Sequence, residues 1–449
     1  MLPRFLSFKA VIFEDKIETM LRSIFALLFV CITLSVFSQK TIAIKCGSLF
    51  DAVNGRLLKA QIIVVKGNII ESITPANDFK EHTDSSIDLT NYTVLPGLID
   101  AHTHVLLQQD VTSQEYADQL LKESIPYRTL RASRSAKISL QNGFTTIRDL
   151  ETEGAMYADV DVKKAINNDI IPGPRMFVST RAINTVGHYA LSPKEYNWEL
   201  DLPKGIQEIN GADEARRAVR EQLSHGADWI KVYTDRGYYK AADGTYHSYP
   251  NFTNEEIAAI ADETLRSGKK FAAHAMTRDG IIYAINAGVT SIEHGFGMDD
   301  ECIQLMVQKH VYWCPTIFIC DYMAAGREKD GNPMDKLFMQ TFPALFKKAL
   351  DAGVTIVYGT DIGGYSWDQP QAKDFEYMVR WGMTGAQAIQ TATVTGAKLL
   401  SMEGKIGVIA SNAFADIIAV QGDPLQDVKL LQQVKWVMKN GVVYKSANP

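Results

Sequence analysis

The sequence predicts an α/β fold whose centre is a (β/α)8, or TIM, barrel, and three observations lead to it. Apolar strand-like segments alternate with helix-like segments eight times between about Leu98 and Leu400, which is typical of a parallel sheet covered by helices. Several helix-like segments are followed by a glycine one to three residues before the next strand, as at a helix C-terminus. No GxGxxG pattern follows the first strand, which disfavours a doubly wound open sheet.

The barrel strands are predicted as short apolar runs, with helices between most of them. The clearest helices are Glu214–Ser224 and Asn254–Ser267, and Thr253 or Asn254 is a suitable N-cap for the second. The eight strands are predicted at Leu98–His104, Thr145–Arg148, Met176–Ile183, Trp229–Thr234, Lys270–Ala275, Ser291–His294, Tyr312–Ile317 and Thr355–Asp361.

Both ends of the chain beyond this region carry short β-like segments. Gly67-Asn68 separates two apolar runs near the N-terminal end, and Asn440-Gly441 does the same near the C-terminal end; both dipeptides favour hairpin turns. Neither end is long enough to form a good core alone. We therefore predict one small β-sandwich made from both ends, with the barrel inserted between its halves. The predicted boundaries are 40–97 and 401–449 for the β-sandwich and 98–400 for the barrel.

The N-terminal residues 1–39 are predicted to be a signal peptide region. Residues 23–37 are an uncharged run of apolar and small side chains that follows Arg22, with the length of a secretory core and too short for a comfortable membrane span. An uncleaved anchor is the alternative, and Met20 is a second candidate start. Export would place the mature protein in the periplasm or outside the cell, without stable membrane insertion.

Four cysteines remain after the predicted cleavage: Cys46, Cys302, Cys314 and Cys320. Their spacing is not that of a zinc knuckle, and pairing cannot be deduced from it. Although export would permit disulfides, buried free thiols are the expectation.

The charge balance excludes nucleic acid as the main partner. The formal net charge is -6 at pH 7, and the sequence pI is about 5.9. The chain therefore lacks the basic excess with which proteins neutralise phosphates. A small-molecule or dipeptide substrate is the expected partner, and a homo-oligomer is left open.

Two histidines end the first predicted barrel strand, just after the Pro96-Gly97 turn. Side chains two residues apart in a strand point to the same face, so His102 and His104 predict half of a metal site. In a (β/α)8 barrel, the carboxyl ends of all strands meet at the active-site face.

Four further side chains are predicted at this face. His274, His294 and Asp361 stand at the ends of the fifth, sixth and eighth strands, and Lys231 lies in an apolar frame in the fourth. Each alone has an ordinary structural explanation, such as a core histidine or a helix cap. Because all of them fall at one end of the barrel with the first two histidines, we predict that the six side chains hold metal.

Lys231 determines how many metal ions are predicted. A lysine in an apolar barrel has a lowered pKa, so its amine could add carbon dioxide and become a carbamate that bridges two ions. One ion would be held by His102, His104 and Asp361, and the other by the two remaining histidines. Two ions would turn a shared water into a bridging hydroxide and activate a carbonyl. Asp361 would pass the proton to the leaving amine.

Several motifs resemble the amidohydrolase superfamily, in particular the imidazolonepropionase-like branch with secreted Xaa-Pro and Xaa-Arg dipeptidases. The matching stretches are LPGLIDAHTH (95–104), GFTTIRDL (143–150), GADWIKVY (226–233), FAAHA (271–275), SIEHG (291–295) and YGTD (358–361). The first and last are typical of the superfamily, and the lysine within GADWIK is typical of members with a carboxylated lysine. The tail (391–420) is also similar to the family's return into its β-sandwich.

The resemblance implies hydrolysis of amide bonds, often in dipeptides, with two zinc or similar divalent ions. It also implies helper residues. His188 follows the third strand where the family often has Gly-Gly-His-Gly, but this sequence has Val-Gly-His-Tyr. By two-residue spacing, Tyr233 shares a face with Lys231 and is a candidate to hydrogen-bond the substrate carbonyl or carboxylate. The loops 237–252 and 363–367 are expected to border the site.

The function predicted from the sequence is therefore cleavage of amide bonds in small substrates, such as dipeptides or N-acyl amino acids, by a metal-bridging hydroxide. The alternatives are hydrolysis of a cyclic amide, ester, lactone or phosphotriester at the same site. A mononuclear deaminase is disfavoured by Lys231. A catalytically silent metal-binding scaffold is disfavoured because it would not need all six ligands.

Overall fold

The computed structural model describes residues 40–188, 191, 196–197 and 199–446. The predicted signal peptide region, 1–39, lies outside the described residues. Within them, no helix combines the length and the apolar character that crossing a bilayer requires.

The described residues form nineteen β-strands and twelve α-helices. The strands are β1 Thr41–Asp51, β2 Arg56–Lys66, β3 Ile69–Pro75, β4 Ser85–Pro96, β5 Leu98–Thr103, β6 Phe144–Asp149, β7 Arg175–Val178, β8 Ile183–Thr185, β9 Gln207–Ile209, β10 Trp229–Tyr233, β11 Asp235–Lys240, β12 Tyr246–Pro250, β13 Lys270–Thr277, β14 Ser291–Gly297, β15 Tyr312–Cys314, β16 Thr355–Ile356, β17 Ile417–Val420, β18 Trp436–Lys439 and β19 Val442–Lys445.

The helices cluster between the parallel strands, as the alternation in the sequence predicts. They are α1 Ser113–Lys122, α2 Ile125–Gln141, α3 Ala158–Asn167, α4 Ala212–Ser224, α5 Asn254–Arg266, α6 Arg278–Asn286, α7 Asp300–Lys309, α8 Ile317–Lys329, α9 Met334–Ala352, α10 Asp374–Arg380, α11 Gly385–Thr391 and α12 Val394–Leu399. Helix α5 begins with the predicted N-cap: the Thr253 side chain accepts from the Glu256 backbone N–H, and Glu256 reaches back to the cap, so two otherwise unsatisfied donors are paired.

The central strands pair in parallel and form two sheets. One has the order β5-β6-β7, and the other has the order β16-β15-β14-β13-β10-β8-β9. Backbone bonds connect them: Ala101 N donates to Tyr358 O at 2.9 Å, and Asp228 N donates to Val178 O at 2.8 Å. The α/β class is thus confirmed, and the carboxyl ends of β5, β10, β13 and β14 face a common edge.

The two chain ends share one seven-stranded mixed sheet, in the order β19-β18-β17-β4-β1-β2-β3. Both predicted hairpins are present, since β2 pairs antiparallel with β3 and β18 with β19. The inner face of this sheet is apolar, with Ile44, Ile63, Val94 and Trp436 in one buried cluster. The joining of the two ends is therefore confirmed, whereas a sandwich of two packed sheets stays a prediction.

Gly97 takes the chain from this mixed sheet directly into the parallel strands. It lies between β4 and β5, and a Cβ atom at this position would stand 2.0 Å from Thr145 Oγ1. Only glycine therefore permits this close passage. Backbone bonds from Gly97 N to Asp416 O at 2.8 Å and from Leu98 N to Gly143 O at 2.9 Å anchor the start of the strand that carries the two predicted metal-binding histidines.

Two predicted strands are shorter in the structure than the sequence suggested. Met176–Ile183 divides into β7 and β8, because Thr180 has φ 60°, a left-handed conformation that interrupts an extended strand. Tyr312–Ile317 ends at Cys314, because Thr316 has φ 40° and helix α8 begins at Ile317. Apolar side chains alone do not reveal such turns.

Two further predictions differ from the structure. Only Thr355–Ile356 of the predicted eighth strand is regular β16, although its continuation is bonded to β5. The segment 237–252, predicted as a loop, is mostly the antiparallel hairpin β11–β12. The expectation for the cysteines is confirmed: Cys46, Cys302, Cys314 and Cys320 are all free and buried.

Candidate metal centre and active site

The site begins with the two histidines at the end of β5. Every residue of this strand is buried, and His102 has no exposed surface. As the strand periodicity predicts, the rings of His102 and His104 lie on one face, with their Nε2 atoms 3.2 Å apart. Two nitrogen atoms this close need either a shared proton or a shared cation.

Asp361 joins this pair from the segment after β16. Its Oδ1 lies 3.0 Å from His104 Nε2 and 3.6 Å from His102 Nε2. Gly359 permits this approach, because a Cβ atom there would stand 2.2 Å from Cys314 Sγ and 3.0 Å from His102 Cβ. Ligand atoms of the three side chains lie within 4.8 Å of one another, so one ion can be shared among them.

Lys231, His274 and His294 complete the predicted set from neighbouring parallel strands. The register places Tyr233 of β10 opposite His274 of β13, so both strands end at the same level. His294 lies beside His274, with ring centroids 4.6 Å apart, and its Nδ1 is 3.8 Å from Asp361 Oδ2. All six predicted ligands line one cavity of about 420 Å³, within the range of small-molecule sites.

Electrostatics suit these side chains for metal binding. Burial lowers the pKa of His102, His274 and His294 well below that of free imidazole, so their rings are neutral and can offer a lone pair. The neighbouring histidines lower the pKa of Asp361, against the opposing effect of burial. Neutral imidazoles around an ionised carboxylate are a donor set that fits zinc or a similar divalent ion.

His104 and Lys231 differ from the other ligands. Burial opposes a charge on His104, but the hydrogen bond and charge of Asp361, together with Glu153, raise the pKa of His104 to about 10. An ion bound there would displace a proton. Burial lowers the pKa of Lys231, against the nearby Glu293 and Glu151 carboxylates. The buried lysine, 1% exposed, is thereby made more reactive as a free amine.

Partners behind the ligands fix the orientation of their rings. Glu293 Oε2 lies 2.9 Å from His102 Nδ1, and Glu293 Oε1 accepts from Arg148 Nη2 at 2.8 Å. Thr316 Oγ1 lies 2.8 Å from His294 Nδ1. These contacts leave the Nε2 atoms of His102 and His294 for the site, as in metalloenzymes whose ligating histidines bond a carboxylate on the far side.

The predicted helper residues lie on the wall of the same cavity. The Tyr233 hydroxyl donates to Glu151 Oε2 at 2.6 Å, so its proton is already engaged. His188 Nδ1 lies 2.6 Å from Arg236 Nη1. Burial and the adjacent guanidinium lower the pKa of His188, so a neutral ring accepts this bond.

Sequence reasoning missed several polar residues of the site. Tyr238 belongs to the segment 237–252, which was expected only to border the site, and its hydroxyl lies 2.9 Å from His274 Nε2. Glu293 lies within the SIEHG motif, and its position in an otherwise apolar strand was a usable signal. The positions of Arg236 and Tyr238 depend on the hairpin β11–β12. The dipeptide Asp243-Gly244 favours a hairpin turn and could have predicted it.

Fold and site together define an α/β protein with a candidate metal centre at the carboxyl edge of its parallel strands. The chain belongs to the amidohydrolase family, whose sequence profile matches residues 93–444. The resemblance stated from the motifs is thereby confirmed.

Similar proteins of known name agree with this assignment. A solved structure of an Xaa-Pro dipeptidase with methionine bound in its active site is 33% identical, with a TM-score of 0.81, covering 90% of this chain and all of that one. Ochratoxinase from Aspergillus niger is 30% identical over 421 residues, which span 87% of this chain and 84% of the relative. A prolidase solved with N-methylphosphonate-L-proline is 26% identical, with a TM-score of 0.78, covering 90% of this chain and all of that one.

Proposed function

We propose that the protein is a binuclear metal-dependent amidohydrolase that cleaves amide bonds of small substrates such as dipeptides or N-acyl amino acids. The observation that carries the proposal is the meeting of six potential ligands from five chain segments in one cavity. The names of the relatives, a dipeptidase and a prolidase among them, support the same bond type.

The ligand arrangement suggests two neighbouring metal positions. His102, His104 and Asp361 would hold one ion, and His274 and His294 would hold the second, with a carboxylated Lys231 between them. When bound, the ions would polarise both a water molecule and the scissile carbonyl. The lowered pKa of Lys231 supports carboxylation, because only the neutral amine adds carbon dioxide.

Residues of the chain would then guide the substrate and the proton. Asp361, whose Oδ1 faces both histidines of β5, would take a proton from the attacking water and deliver it to the leaving nitrogen. Tyr233 and His188 line the cavity and would orient the substrate. The surrounding side chains include Met276, Phe296 and Ile319, which would exclude bulk water.

We also propose that the parallel strands close into an eight-stranded barrel. Two backbone bonds between β5 and the segment after β16 support this closure: Ala101 N donates to Tyr358 O at 2.9 Å, and Asp361 N donates to His102 O at 2.8 Å. We also keep the β-sandwich and export after signal-peptide cleavage as proposals.

The proposed function is tested by hydrolysis assays on the purified protein with added zinc. The panel contains Xaa-Pro and Xaa-Arg dipeptides, N-acyl amino acids, a lactone and a phosphotriester. We expect amide cleavage that is lost with a chelator and restored by zinc. Turnover confined to the lactone or phosphotriester would contradict the amide assignment.

A pair of histidine variants provides the matched control. His102→Asn removes a proposed ligand and should abolish amide cleavage. His310→Asn changes an exposed histidine at the end of α7, outside the cavity, where asparagine tolerates the left-handed backbone. It should retain wild-type turnover, and equal losses in both variants would contradict the ligand assignment.

A further inference from the structure

Arg236 brings a positive charge to the cavity wall. It lies on β11, immediately after the strand that carries Lys231, and it lines the same cavity as the six predicted ligands. Its neighbour Asp235 anchors the hairpin: the buried carboxylate accepts from Met276 N and Thr277 N at 3.1 Å each. The backbone of Arg236 is thus fixed relative to the site.

Unlike Arg327 and Lys231 of the same cavity, Arg236 has no acidic partner in the part of the chain that the structure describes. Arg327 is paired with Asp110 at 3.0 Å, and Lys231 faces Glu293, Glu151 and Asp361. Among the described residues, no ion pair within 4.0 Å includes Arg236. Its hydrogen bond goes instead to a neutral ring, that of His188.

A neutral partner fixes the guanidinium without cancelling its charge. His188 Nδ1 accepts from Nη1 at 2.6 Å, which leaves further guanidinium N–H groups for an anion. A planar guanidinium binds a carboxylate through two parallel hydrogen bonds. Tyr233 is a weaker candidate for this role, because its hydroxyl proton is donated to Glu151.

We propose that Arg236, held by His188, binds the free carboxylate of the amino acid on the leaving side of the scissile bond. The substrate class would then be dipeptides and N-acyl amino acids with a free carboxyl end, rather than cyclic amides, lactones or phosphotriesters. In such substrates, one Cα atom separates the scissile nitrogen from the carboxylate, so both groups must fit the same small cavity. This inference rests on the proposed amide hydrolysis.

The test compares matched substrates that differ only in the terminal charge. Alanyl-proline and alanyl-prolinamide are assayed by chromatography for release of proline or prolinamide. We expect wild-type kcat/KM to favour the free acid by roughly 10- to 100-fold, the range for a hydrogen bond between charged groups. In Arg236→Met, the ratio of the two values should fall close to one, mainly through KM for the acid.

Two further variants control this comparison. Arg236→Lys keeps the positive charge but loses the planar guanidinium that makes two parallel hydrogen bonds. It should recover part of the preference for the acid. Lys240→Met removes a charge from the same strand at a position outside the cavity, and it should keep the wild-type ratio.

The outcomes separate this inference from the proposed function. Equal cleavage of acid and amide by the wild type, or an unchanged ratio in Arg236→Met, would overturn the carboxylate site while leaving amide hydrolysis in place. Cleavage of neither substrate, together with turnover of the lactone or phosphotriester, would overturn both.

Discussion

Lys231 is the residue on which the proposed chemistry depends. Its side chain is buried among other ionisable groups, and burial lowers its pKa. A protonated ammonium beside five proposed metal ligands would repel cations, whereas a carbamate would add negative charge where the imidazoles provide none. The proposed pair of metal ions therefore requires a modified lysine.

Replacement of Lys231 tests this requirement directly. Lys231→Ala should lose at least one metal ion per chain and most of its activity, measured by elemental analysis and amide hydrolysis. Lys240→Ala, at a position outside the cavity, should retain both. Full metal content in Lys231→Ala would refute the bridging role.

Asp361 is proposed to move the proton, so its loss should affect turnover more than folding. Asp361→Asn keeps the size of the side chain and removes the basic oxygen. We expect kcat to fall by about 10²- to 10⁴-fold, with an unchanged far-ultraviolet circular dichroism spectrum. Turnover within twofold of wild type would exclude Asp361 as the proton carrier.

At the scale of elements, the sequence predicts where the strands lie better than the turns that end them. The periodicity of β5 places His102 and His104 on one face, and the structure brings both to Asp361. The sequence did not predict that Thr180 and Thr316 adopt left-handed conformations, because these conformations depend on contacts between residues that are distant in sequence. Thr180 N, for example, donates to the buried Asp159 Oδ2 at 2.8 Å.

The support that one parallel sheet gives to the other is likewise visible only in three dimensions. Glu293 of β14 reaches across to His102 of β5, 191 positions earlier in the chain. A pattern within one strand can show that a carboxylate is buried, but not which histidine it contacts. The candidate ligands were therefore predictable, whereas the partners that orient them were not.

The contact between β14 and β5 gives a prediction of its own. Glu293→Gln should lower metal affinity by roughly 10- to 100-fold, because the orientation and basicity of His102 depend on that carboxylate. Competition with a chelating dye measures the affinity. Glu301→Gln, an exposed glutamate in the first turn of α7, should bind metal as wild type does. If the two variants bind equally, Glu293 has no role in metal binding.

At the scale of the whole molecule, the mixed sheet joins residues from both chain ends without covalent links. The four cysteines of the described residues are free, and burial raises the pKa of Cys46 to about 12, so its thiol is inert at neutral pH. Backbone hydrogen bonds between β4 and β17, together with side-chain packing, therefore hold the two ends together.

This predicts a protein whose stability is independent of reducing agent. A disulfide would contribute roughly 2–4 kcal/mol, and its reduction would lower the melting temperature visibly. We expect the same melting temperature with and without a phosphine reductant that does not bind metal. A lower melting temperature in its presence would show a disulfide and contradict the free thiols.

The proposed site holds a pair of metal ions in one cavity, and the metal content per chain tests this without any choice of substrate. The full-length protein is purified, loaded with zinc, freed of excess ions by gel filtration and analysed by plasma mass spectrometry. We expect about two ions per chain, the number for a binuclear hydrolase. About one ion per chain would contradict the Lys231 bridge and reopen the mononuclear deaminase alternative.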